Sequence, residues 1–315
     1  MFSVITPLYN KAAYVEKALQ SLINQTFTEF EIIVIDDGST DNSLNIVKQI
    51  IKSSNHQINI IEQKNSGVST ARNNGVNTAN YDYICFLDAD DWWQPTFLAE
   101  MKRLIDDFPD AGIYGTGYFK VKDCKNIPAK IGVPANFERG YFDYFQAYTD
   151  SMWMPLWTGA VCVPRNIFNE FKGFNSSLRM GEDFHLWARI ALKYKTVLLN
   201  KPLAFYNQDV EQASRAAGRK LHKPENHFLF AAADLFEQEK DNPKLKQLLD
   251  NLRVYGLYAY FLNKKTRQDA KNQLDKINWT KQSAKDFNRY YKTPVWWQKA
   301  VITLKIILLN MRNNL

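Results

Sequence analysis

The chain has 315 residues, 45% of them hydrophobic, enough for one large α/β domain or a domain with an appendage, which excludes wholesale disorder. Its net charge of +7 is uneven: residues 264–315 hold 12 Lys or Arg against 3 Asp or Glu, while the rest holds 28 against 30. The basic character is therefore a property of the tail. It points to a local anionic partner and not to nucleic acid.

The first 110 residues alternate strand and helix signals. Residues 2–6 are a short apolar run closed by Pro7. Residues 11–25 carry Val15, Leu19, Leu22 and Ile23 at helical spacing. Residues 31–35 form a β-branched run that stops at Asp36-Asp37-Gly38-Ser39, and residues 42–52 read as a second helix. Residues 58–61 are a third strand, 65–67 a turn and 69–78 a short helix. Residues 83–87 are a fourth strand, and Pro95 precedes a helix over 97–108. Such alternation predicts an α/β fold, Rossmann-like, with a mostly parallel central sheet flanked by helices. Ligands of such sheets bind beyond the carboxyl ends of the strands.

Beyond residue 110 the rhythm changes. Residues 114–121 and 158–163 read as strands, separated by an irregular stretch with Trp153 and Trp157. Residues 183–194 read as a helix. From about residue 221 the pattern is helical and polar. The expected organisation is a domain over 1–215, with a nucleotide-binding half 1–110 and an acceptor half 111–215. A basic helical extension over 216–315 follows.

Chemistry gathers where strands end. Pro7, Tyr9 and Asn10 follow the first, Asp36-Asp37 the second, and Asp88-Ala89-Asp90-Asp91 the fourth. Asp88 and Asp90 are two residues apart, so in extended backbone they project to one side. Two such carboxylates repel unless a cation lies near them. Mn²⁺ or Mg²⁺ suits these hard oxygen ligands and the phosphates of a substrate. A solvated acidic loop or a helix cap explains a bare Asp-x-Asp as simply, but the position directly after a strand favours the metal. Asp37 can accept a hydrogen bond from a nucleobase on which Tyr9 stacks, or it makes a plain turn. Arg72, near a helix start, reaches a pyrophosphate or lies on a solvated face. No phosphate loop is present, and Gly112, Gly115 and Gly117 make no dinucleotide fingerprint.

Four segments together resemble the family 2 glycosyltransferases: residues 3–10 (SVITPLYN), 21–26 (SLINQT), 33–41 (IVIDDGSTD) and 87–91 (LDADD). Gly173-Phe174 and the segment 181–187 (GEDFHLW) resemble the later acceptor-side motifs of that family. The resemblance covers residues 2–214. It implies a GT-A fold and transfer with inversion from a nucleotide-sugar donor, a UDP-sugar, to a glycan or lipid-linked acceptor of the cell envelope. It also implies that Pro7, Tyr9 and Asp37 hold the nucleoside and that Arg72 contacts base or pyrophosphate. Asp88 and Asp90 would flank metal and donor sugar, with Asp90 the direct metal ligand. Asp183 would be the general base, with Glu182 the alternative. A carboxylate at a helix start is held ionised by the dipole, which would make it a weaker base. Trp153 and Trp157 are candidate platforms for acceptor sugars. Many relatives carry a Tyr-x-Arg-x-x-His-like segment after the acceptor helix; residues 206–215 stand there without the His, leaving Arg215 as a candidate diphosphate contact. A nucleotidyltransferase would show a Gly-rich basic loop near its N-terminus, and a catalytically silent binding protein would lack one of these acids.

The start of the chain shows no secretory signal, and three widely spaced cysteines, Cys85, Cys124 and Cys162, suit a reducing compartment, so a cytoplasmic location is expected. In helical projection, residues 294–312 gather Trp296, Trp297, Ala300, Val301, Leu304, Ile307, Leu308 and Met311 on one side. The segment is too short and too charged to span a bilayer. It fits a peripheral position on an anionic membrane surface, over packing on its own domain or on a second copy in a homodimer.

Overall fold

The computed structural model describes residues 1–54, 56–210 and 221–301. The chain divides into two compact units, Met1–Lys220 and Leu221–Leu315.

In the first unit, strands β1 (Phe2–Leu8), β2 (Phe30–Asp36), β3 (Ile58–Glu62) and β4 (Tyr83–Phe86) alternate with helices α1 (Val15–Ile23), α2 (Ser43–Ser53) and α3 (Val68–Asn77). They pair in the order β3-β2-β1-β4, every pair parallel, with Val4 opposite both Ile32 and Cys85. β1 and β2 are almost wholly buried, as strands covered on both faces must be, which is why they read as unbroken apolar runs. α1 covers one face through Val15, Ala18, Leu19 and Leu22. α3 lies close against the sheet because Gly75 has no side chain; a Cβ there would meet Ile5 Cγ2 at 2.4 Å. A buried carboxylate fixes the junction of the strands. Glu31 accepts from Ser3 Oγ at 2.6 Å, from the Asn80 backbone N–H at 2.7 Å and from Asn80 Nδ2 at 2.8 Å.

The sheet continues through the second half of this unit. β5 (Trp92–Trp93), α4 (Phe97–Asp107), β6 (Ala111–Lys122), β7 (Lys125–Pro128), β8 (Arg139–Phe142) and α5 (Tyr144–Ser151) come next in the chain. β9 (Val161–Pro164), α6 (Arg165–Glu170), α7 (Glu182–Lys193) and β10 (Lys195–Asn207) complete it. The order runs on as β4-β9-β6-β10-β5. β9 is antiparallel to both neighbours, and β10 is parallel to β6. The predicted α/β class and central sheet are thus observed. The strand expected from residue 158 begins at Val161, after a single tight turn over Thr158–Ala160. β10 was not legible as a strand. Asn200-Lys201-Pro202 interrupts its apolar pattern, and its pairing with β6 shifts register there.

The second unit is helical: α8 (Phe228–Ala231), α9 (Ala233–Gln238), α10 (Pro243–Gly256), α11 (Tyr258–Leu262), α12 (Arg267–Leu274) and α13 (Ala284–Tyr291). Fully buried Arg253 pairs with Glu239 at 2.6 Å and Asp250 at 3.4 Å. Among the described residues, no helix is long and apolar enough to cross a membrane. Of the segment 294–312, residues 302–312 lie outside the described residues. In its first turns Trp296 and Trp297 are 69% and 53% exposed, while Gln298 is buried and donates to the Arg289 and Thr293 carbonyls at 2.6 and 2.8 Å.

Because Gly75 sets the distance of α3 from the sheet, Gly75→Val is expected to destabilise the protein by about 1–3 kcal/mol. Urea denaturation measures this; a midpoint at or above that of the wild type contradicts the close approach.

Candidate active site

β1, β2 and β4 are parallel neighbours, so the segments that follow them emerge on one edge of the sheet. The first two are braced against each other. Asn10 adopts the left-handed backbone region with φ 51°, and its Oδ1 accepts from the Thr40 N–H at 2.8 Å and the Asp41 N–H at 3.3 Å. Its own N–H donates to Ser39 Oγ at 3.1 Å. Pro7 is partly exposed at the end of β1, and the Tyr9 ring stands exposed beside it. Asp37 is buried, and its carboxylate accepts from Gln63 Nε2 at 2.7 Å, the Ser66 N–H at 2.7 Å and the Gly67 N–H at 2.8 Å. Asn10 and Asp37 thus brace the loops at this end of the sheet.

The loop after β4 carries the acids. Both oxygens of Asp88 accept from Arg72 Nη2, at 2.7 and 2.9 Å. Arg72 Nη1 lies 3.5 Å from Glu182 Oε1, and the guanidinium sits over the Phe174 ring, 5.3 Å from its centre. Arg72 is only 4% exposed. Burial alone would discharge it, but Asp88 and Glu182 outweigh that and hold it firmly protonated. The geometry therefore gives Arg72 a different place from the one its position near a helix start suggested. It is an internal clamp from the donor-side loop to the start of α7, and its charged end is already paired.

Asp90 accepts from Lys11 Nζ at 2.6 Å. Burial raises its pKa above the usual carboxylate range, with Lys11 opposing. Asp91, 2% exposed, accepts from the Asn207 N–H at 2.7 Å. Burial, then Asp90 and Asp88, push its carboxyl well up and favour the protonated form.

Across the crevice, Gly181 takes the left-handed conformation that α7 needs at its start, with φ 76°. Glu182 and Asp183 occupy the first turn. Asp183 accepts from the Phe184 N–H at 2.7 Å and from Thr158 Oγ1 at 3.4 Å. Burial raises Asp183, with the Phe184 N–H and Arg72 pulling the other way. This reverses the expectation from the helix dipole: the carboxylate is a stronger base than an ordinary aspartate. Burial, then the neighbouring Asp183, push Glu182 up to about 7 against the pull of Arg72.

The two tryptophans separate. Trp157 is 5% exposed, with Tyr118 and Tyr206 packed at 5.1 and 5.0 Å between ring centres. It belongs to the core and offers no open ring to a sugar, because aromatic neighbours already cover it. Trp153 is partly buried with Lys120 Nζ 4.5 Å above its ring. Arg215 lies outside the described residues. Lys11, Asp91 and Thr158 went unnoticed in the sequence. Lys11 directly follows Tyr9-Asn10 at a strand end and Asp91 directly follows Asp90, so proximity was the available signal; Thr158 gave none.

Among the described residues, no three acidic, His or Cys side chains converge as a ready-made metal cage. The donor set fits a divalent cation of the other kind, held by one carboxylate with a substrate's phosphates completing the shell. Asp88 and Asp90 are both partly exposed; Asp88 is engaged by Arg72 on both oxygens and Asp90 by Lys11, which leaves Asp90 the second oxygen to offer it.

The family model described as Glycosyl transferase family 2 matches residues 3–169, just over half of the chain. Similar curated proteins include glycosyltransferase GlyA of Streptococcus pneumoniae, 37% identical over 40% of this chain and 18% of its own length. Uncharacterized glycosyltransferase YibD of Escherichia coli is 47% identical over 30% of this chain and 27% of its length. Chondroitin synthase of Pasteurella multocida is 25% identical over 81% of this chain and 25% of its length. The chain thus spans a third or less of the length of these relatives. Among solved structures, S. aureus TarS in complex with UDP-GlcNAc matches with a TM-score of 0.69 at 19% identity, covering 87% of this chain and 78% of that one.

The Arg72 clamp makes a stability prediction. Arg72→Met leaves Asp88 and Glu182 without their partner, at a cost of roughly 3–5 kcal/mol near neutral pH. Glu182, with a folded value of about 7 against its ordinary 4.5, takes up a proton as pH falls through that window. Loss of Arg72 raises it further, so the deficit should be greatest above about pH 7 and shrink toward about pH 5. Denaturation of both proteins across this range checks it; a deficit that grows on acidification contradicts the clamp.

Proposed function

The chain belongs to glycosyltransferase family 2, and from that premise we propose that it moves a sugar from a UDP-sugar to a hydroxyl of a glycan or lipid-linked acceptor, inverting the anomeric carbon. The observation that carries the reading is the placement of Asp183, a half-buried carboxylate made more basic by its surroundings, directly beside Glu182, which Arg72 joins to Asp88. A TarS structure of similar fold bound to UDP-GlcNAc supports a UDP-sugar as donor.

In this mechanism Tyr9 stacks on the base, and Pro7, Asn10 and Asp37 form the nucleoside wall. Asp183 takes the proton of the acceptor hydroxyl as its oxygen attacks the anomeric carbon. The bond from that carbon to the diphosphate breaks, and UDP leaves with the electron pair. Thr158 and the Phe184 N–H hold Asp183 toward the acceptor side. Asp90 and the diphosphate oxygens are the groups that would hold Mn²⁺ or Mg²⁺, whose chemistry is to offset the charge of the leaving group. A mannosyltransferase from Pyrobaculum calidifontis, similar in fold with a TM-score of 0.51, has been solved with GDP-Man and Mn²⁺. The outward-facing Trp296 and Trp297 support a peripheral position of the helical unit on an anionic membrane, where a lipid-linked acceptor would be met.

The test is UDP release from a panel of UDP-sugars with Mn²⁺ or Mg²⁺. Asp183→Asn should lower kcat by about 10²–10⁴ with little change in donor affinity. Glu182→Gln removes a like charge beside Asp183 and should retain turnover, with the acidic limb of the pH profile moved to lower pH. Full activity in Asp183→Asn, or abolition in Glu182→Gln alone, would refute the assignment of the base. For the membrane, Trp296→Ala with Trp297→Ala should reduce co-sedimentation with anionic vesicles; unchanged binding argues against it.

A further inference from the structure

The half of the unit that follows β5 holds a cation that no acid neutralises. Lys120, on β6, is partly buried, and its Nζ sits 4.5 Å from the centre of the Trp153 ring. Among the described residues it forms no ion pair. An aromatic face holds an ammonium in place but leaves its charge uncancelled. Arg72, by contrast, is already tied to Asp88 and Glu182.

The contacts around Lys120 lead to Asp183. Tyr118, two residues earlier on the same face of β6, donates its hydroxyl to the Met154 carbonyl at 2.8 Å. Tyr206 is the partner of Lys120 in register on β10, and Trp157 packs on both the Tyr206 and the Tyr118 rings. The next residue, Thr158, donates to Asp183 at 3.4 Å. Lys120 and Asp183 therefore touch opposite ends of one short segment, 153–158, whose ends lie at most about 18 Å apart. An oligosaccharide covers such a span. The Tyr206 hydroxyl is pushed up to about 12 by burial first, then by Asp91, Asp88, Asp90 and Asp183, so the neighbour of Lys120 borders the acids. Those acids repel an anionic acceptor, and Lys120 supplies the attraction they lack.

We propose that Lys120 binds an anionic group of the acceptor, a carboxylate or a phosphate carried away from the hydroxyl that Asp183 deprotonates. The acceptor is then an acidic or phosphate-bearing glycan. This rests on the reading of Asp183 as the base. An ammonium is a point charge with three donors, so it serves either anion.

The experiment is transfer by the full chain, with Mn²⁺ and a panel of UDP-sugars, to matched disaccharides of several hexoses. Each is offered in a neutral form, with the inner sugar oxidised to the uronic acid, and with the inner sugar carrying a phosphate monoester. One charged form should exceed the neutral one in kcat/KM by about tenfold or more, and which form does so separates carboxylate from phosphate. Lys120→Met and Lys120→Gln should each bring that ratio to within about threefold, chiefly through KM for the acceptor, whereas Lys120→Arg should keep it. The role of Lys120 is overturned, with the transferase reading intact, by a ratio near one in the wild type or a ratio unchanged in both neutral variants. The same holds if UDP is released while neither charged form is glycosylated. No UDP release from any donor overturns both readings.

Discussion

Asp88, Asp90, Asp91, Glu182 and Asp183 lie close enough to raise one another's proton affinity, and carboxylates so close cannot all stay charged in a partly dry site. Each is relieved differently. Asp88 and Glu182 share the buried guanidinium of Arg72. Asp90 has Lys11. Asp91 is pushed toward its neutral form against a backbone N–H. Asp183 keeps only hydrogen-bond donors, the Phe184 N–H and the Thr158 hydroxyl, as direct partners. Asp91 and Asp183 are the acids with no cation in direct hydrogen-bond contact, and burial raises both.

The same constraint explains why polar residues that look like ligand contacts carry architecture. Asn10 joins the segments after β1 and β2, and Asp37 organises the turn through Ser66 and Gly67. This loop edge is held by side chains that satisfy backbone N–H groups.

These distinctions set what the sequence could disclose. β1 to β4 were legible because doubly covered strands are β-branched runs that stop at Pro or Asp, and the pattern ties each acid to a strand end. β10 was hidden by Asn200-Lys201-Pro202, which breaks its apolar pattern and which a register shift absorbs. The crevice acids were found because a strand end is a local feature. Their partners were not, since Arg72 meets Glu182 across 110 positions of sequence and Lys11 meets Asp90 across 79. Trp157 stayed open for the opposite reason: composition marks a tryptophan as a sugar platform or as core, and only the packed Tyr118 and Tyr206 rings decide for the core.

The strength of the proposed base is likewise settled by comparing magnitudes. A helix N-terminus favours an ionised carboxylate by about 0.3–1 kcal/mol, up to about 2 in partly buried geometries. Removing a carboxylate from water can shift it by several pH units, each worth about 1.4 kcal/mol. Dipole and burial therefore oppose each other at Asp183, and burial is the larger, so its net displacement is upward despite the Phe184 N–H and Arg72. A helix start alone would have placed a weak base there. Setting that helix start in a partly dry site, with Arg72 spent mainly on Asp88 and Glu182, leaves a carboxylate more basic than an ordinary aspartate, as the proposed proton transfer requires.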